Sequence, residues 1–87
     1  MKLVFEDNNI SSSIKDIVKD IIEHCKGGAL HKDVLVEELS EEDLDLYEDP
    51  EGFIQKHKDT DDIYMVYQVM PGGSWNQPLT MVAVVEE

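Results

Sequence analysis

Ten carboxylates lie between Asp33 and Glu51, and no Lys, Arg or His interrupts them. They are Asp33, Glu37, Glu38, Glu41, Glu42, Asp43, Asp45, Glu48, Asp49 and Glu51. Acidic groups at this density can hold a metal ion, trade protons, or attract a basic surface. On a helix, side chains three or four residues apart are neighbours, so Glu38, Glu41, Asp45 and Glu48 would form a ridge of like charge. Such neighbours cost a helix some tenths of a kcal/mol each. No internal Lys offsets that cost. The structural alternative is a solvated face whose acids complement helix starts, which accounts well for Glu41, Glu42, Asp43, Asp49 and Glu51.

The spacing does not favour metal chemistry. Asp43, Asp45 and Tyr47 are spaced like the opening of a calcium loop, but Glu48 stands where Gly is needed and Ile54 where a bidentate Glu is needed. His24, Cys25, His31 and His57 contain no ligand-type pair of the kind C-x2-C or H-x3-H. Nucleophilic catalysis needs a positioned Ser or Cys with a base, and Ser11-Ser12-Ser13 reads as helix capping. Pro71-Gly72-Gly73 reads as a turn, with neither a Lys nor a following helix to make it a phosphate loop. The expectation is a protein that is not an enzyme and takes no cofactor or metal. Trp75, the sole Trp, sits among Gly, Ser, Asn, Gln and Pro. There it serves either as an interface anchor or as a cap on a small core.

Bulk composition points the same way. The chain has 87 residues, seven basic against twenty acidic, for a formal net charge of −13, and all seven basic residues are Lys. Lack of Arg with this charge argues against direct nucleic-acid binding and against anionic membranes. It favours a basic partner reached by electrostatic steering. The plainer reading of net charge is solubility. Residues 1–87 are expected to form a single domain. The early acids Glu6 and Asp7 do not suit a secretory signal, no apolar run is long enough to span a bilayer, and Cys25 has no disulfide partner. These features imply a cytoplasmic setting.

The elements that must carry these groups follow from periodicity. Lys2 to Glu6 reads as a strand. Ile14, Ile17, Val18, Ile21, Ile22 and Cys25 make one apolar stripe, predicting a helix over 13–26, with Ser13 and Asp16 as a capping box and Gly27-Gly28 as its stop. Residues 33–37 suit a short strand or extended segment, with a helix as the alternative. Ser40-Glu41-Glu42-Asp43 is a second capping box, opening a short helix with Leu44 and Tyr47. Asp49-Pro50-Glu51 opens a third that turns Phe53, Ile54 and His57 inward. Asp59 to Asp62 is a polar turn. Residues 63–70 and 79–85 are strands, apolar on both faces, expected to form an antiparallel hairpin. The fold class is α+β: a small antiparallel sheet made of the C-terminal hairpin plus the N-terminal strand, one long amphipathic helix, and one or two short acidic helices.

In size, charge, absence of Arg and the acidic block at 33–51, the chain resembles small acidic DNA-mimic inhibitors of phage type. This loose group includes uracil-DNA glycosylase inhibitors and several restriction and CRISPR inhibitors. Asp33-Val34-Leu35-Val36-Glu37-Glu38-Leu39-Ser40-Glu41-Glu42 is similar to the acidic strand-to-helix stretch of the glycosylase inhibitors. The resemblance implies an inhibitor occupying the basic, nucleic-acid-binding surface of a partner protein, in a host cytoplasm if the chain is phage-encoded. The alternative is a structural protein forming a homodimer or larger homo-oligomer through an apolar sheet face.

Overall fold

In the computed structural model, residues 2–24, 29–44, 52–72 and 76–86 are described. The apolar stripe forms α1 at Ser12–His24, burying Val18, Ile21 and Ile22. Burying each such side chain contributes about 1.5–3 kcal/mol. The helix starts one residue earlier than expected, and its cap is Ser11, not Ser13. The Ser11 hydroxyl accepts the Ile14 N–H at 3.4 Å, and the Ser11 carbonyl accepts the Lys15 N–H at 3.1 Å. That is the three-residue reach of an N-cap, and it leaves Asp16 exposed outside the cap. The expected stop at Gly27-Gly28, and Cys25, lie outside the described residues.

Among the described residues five strands form one antiparallel sheet: β1 at Lys2–Phe5, β2 at Ala29–His31, β3 at Val34–Glu38, β4 at Asp62–Val69 and β5 at Asn76–Val85. Their spatial order is β1-β5-β4-β3-β2. The expected hairpin is β4 with β5, and the N-terminal strand joins it through Leu3 opposite Val84 and Phe5 opposite Val82. The short extended segment expected over 33–37 is strand at Val34–Glu38, with Asp33 in the turn before it. The sheet is wider than expected because β2 pairs with β3 through a two-residue turn at Lys32 and Asp33.

Both turn residues have positive φ, 50° at Lys32 and 65° at Asp33. This is the primed turn that matches strand twist, normally built from Asn-Gly. Lys in this left-handed region is strained. Lys32→Asn with Asp33→Gly should therefore stabilise the domain by about 1–2 kcal/mol in a urea titration. An unchanged midpoint would show the turn to be unstrained.

β5 begins three residues earlier than expected and includes Pro78. A β-bulge at Leu79 explains the tolerance: Val66 faces Thr80 while Tyr67 faces Pro78. Pro78 also lies past the end of β1, an edge position where a missing N–H is accepted. Buried Thr80 ties the chain after β1 to this strand, accepting the Asp7 N–H at 3.1 Å and donating to the Met81 carbonyl at 3.0 Å.

Each sheet face has its own cluster. On one, Val18, Ile21 and Ile22 pack with Val34, Val36, Tyr64, Val66 and Val82. On the other, Phe53 and Ile54 pack with Ile63, Met65, Met81 and Ala83. Phe53 and Ile54 come from α3 at Phe53–His57, preceded by Gly52 at φ 75°, a conformation that favours glycine. His57 faces inward as expected, and its Nδ1 lies 2.7 Å from the Asp61 carboxylate with both side chains largely buried. Among the described residues no helix is long and apolar enough to cross a membrane.

Candidate acidic interaction surface

Antiparallel pairing decides where the acids go. The end of β3, the start of β4, the end of β5 and the start of β1 meet at one end of the sheet, because Glu38 faces Tyr64, Asp62 faces Val84 and Lys2 faces Val85. Exposed Glu37 and Glu38 leave β3 there. Glu38, expected to share a helical ridge with Glu41, Asp45 and Glu48, lies on a strand instead. Glu37 and Glu38 therefore point to opposite sheet faces: Glu37 beside Met65, Glu38 beside Tyr64.

Chain reversal after β3 is fixed by the second capping box, which forms as expected. The Asp43 N–H donates to the Ser40 hydroxyl at 3.2 Å, while the Asp43 carboxylate accepts the Ser40 hydroxyl at 2.9 Å and the Ser40 N–H at 3.4 Å. A short helix, α2, follows at Glu41–Leu44. Asp43 is thus committed partly to structure, whereas Glu42 is exposed and Glu41 enters α2 by its backbone. The Glu41 side chain, Asp45, Glu48, Asp49, Glu51 and Trp75 lie outside the described residues, as does the proposed cap at Asp49-Pro50.

Sequence reading missed part of this surface. Asp59, Asp61 and Asp62, read only as a polar turn, lead into β4 beside the end of β3. Asp59 and Asp62 are exposed; Asp61 is turned to His57. Tyr64 registers the gathering of charge. Burial first, then the carboxylates of Glu38 and Asp62, push its phenol above the ordinary tyrosine range. A raised acid of this kind favours the neutral phenol in the folded state. Its contribution is intact below the unfolded value of about 10 and is lost as pH rises through the folded value. Tyr64 should therefore ionise later than free tyrosine in an absorbance titration, and Glu38→Gln with Asp62→Asn should bring it part of the way back. No movement in that double variant would mean the two carboxylates do not act on the phenol.

Other candidate groups stay apart. His24 and His31 are exposed. The Asp20 carbonyl and carboxylate, with Glu23 behind, raise the His24 pKa locally. Among the described residues no three His, Cys, Asp or Glu side chains converge as a metal site. Comparison of the chain with family models, curated proteins and solved structures found no match.

Proposed function

We propose that this protein is a non-enzymatic binding module that occupies the basic, nucleic-acid-binding surface of a partner protein. The observation that carries the reading is the exposed acidic end of the sheet: Glu38 and Asp62 both act on Tyr64, and exposed Glu37, Glu42 and Asp59 belong to the segments that leave β3 or lead into β4 there. A basic groove evolved for phosphates offers the complementary charge, and attraction of this kind speeds encounter and selects partners. The formal net charge of −13 and the absence of Arg support the same choice of partner.

The test is capture of proteins from a lysate on the immobilised domain, eluted in steps of salt and, separately, with duplex DNA. A partner released both by salt and by competing duplex supports the proposal. Captured proteins that duplex DNA cannot displace would mean that nucleic-acid sites are not the target.

A further inference from the structure

The outer edge of β1 fits a second copy of the chain: the geometry points to antiparallel pairing of β1 with β1 of another molecule, across a two-fold axis at Val4, joining two sheets into one. Hydrogen-bond direction, charge pattern and apolar pattern select the same register.

β1 is an edge strand of the described sheet. The Glu6 N–H donates inward to the Met81 carbonyl at 3.0 Å, one step beyond Phe5 opposite Val82. Backbone direction alternates along a strand, so Val4 and Lys2 also point at β5 while Leu3 and Phe5 present N–H and C=O outward. An antiparallel copy must match outward residues with outward residues. With the axis at Val4, Leu3 meets Phe5 of the copy and Phe5 meets its Leu3, each pair able to exchange two bonds. A shift by one residue would set outward groups against inward ones and is excluded.

The same register sets Lys2 against Glu6 of the copy, twice. Both residues are exposed, and opposite charges directly across a strand pair are favourable. Leu3 and Phe5 lie on the face bearing α1 and pack against its cluster, yet remain half-buried. α1 packs mainly over β3 and β2, and it reaches this edge through Lys15, whose ammonium lies 5.5 Å from the Phe5 ring centroid. Leu3 and Phe5 of two copies would cover one another there. β1 carries no proline, bulge or inward-pointing charge, and its one edge Lys, Lys2, is met by Glu6 of the copy in this register. The opposite edge, β2, has three residues and ends in the strained turn. Antiparallel pairing also sends the two acidic sheet ends in opposite directions, which limits repulsion between two strongly negative chains.

A charge swap tests the register. Association is measured by sedimentation from about 10 µM to about 1 mM, the range suited to a small interface. The unaltered chain should dimerise within it. Lys2→Glu and Glu6→Lys should each weaken the dimer by about tenfold, and the double variant should recover it. Overall charge alone would move the two single variants in opposite directions. Amide exchange supplies a second reading: in the dimer the Leu3 and Phe5 amides gain protection, whereas Val4 and Glu6 are protected in the monomer already. A monomer at the highest concentration overturns the proposal. So does a dimer in which the swap fails to restore association or the Leu3 and Phe5 amides stay open.

Discussion

Replacing Glu37, Glu38, Glu42 and Asp62 together by Lys is expected to weaken binding to a basic partner by about a hundredfold or more at physiological salt. Each position is exposed, so the fold should survive. Asp43 is spared because its carboxylate holds Ser40 in the capping box. Reversing a peripheral charge at a complementary interface typically costs something under or near 1 kcal/mol, and about 1.4 kcal/mol is tenfold in affinity. Four reversals therefore reach about a hundredfold. The informative control reverses Asp16, Asp20 and Glu23 on α1 and is set against the triple reversal of Glu38, Glu42 and Asp62, so that both variants carry the same net charge. Exposed charges farther apart than about 8 Å are largely screened at physiological salt, so the control should lose much less. Affinity measured for both variants against one captured partner separates the cases. Equal losses would mean that total charge governs binding and the sheet end has no special part.

The elements most legible in the sequence were those whose signal is local. The α1 stripe needs only the 3.6-residue period, and the Ser40–Asp43 box needs only residues three apart. β4 announced itself by composition. β2 did not, because Ala29-Leu30-His31 is short and the turn after it uses Lys32-Asp33 where a hairpin normally shows Asn-Gly. The extension of β5 back through Pro78 depends on a bulge and an open edge, neither of which has a local signature. The site shows the same division. The density of acids from Asp33 onward was visible at once. That Glu38 belongs to a strand, and that Asp59 and Asp62 join it, depends on pairing β3 with β4 across more than twenty residues of chain. Periodicity carries no information about such a contact.

That separation also bears on the second face of the sheet. Strands apolar on both sides allow two outcomes: a covered face or an association surface. α3 supplies the cover with only five residues, yet Phe53, Ile54 and His57 are all buried. The short helix is fastened at its end by the His57–Asp61 contact at 2.7 Å, and Phe53 packs on the His57 ring at 4.8 Å between centroids. Ile54→Ala should then cost about 3 kcal/mol, the usual result of emptying a well-packed aliphatic site. In a chain of this size that is a large share of total stability. Asp61→Ala should cost about 2–3 kcal/mol, because it strips a buried His of its partner. The two losses should fall short of adding, since both act on one helix. Denaturant titration measures each, and sedimentation of the Ile54 variant while still folded should show no change in association. If Ile54→Ala cost less than about 1 kcal/mol and altered association instead, α3 would be a loosely docked cover, and the apolar face beneath it would be a surface for another molecule.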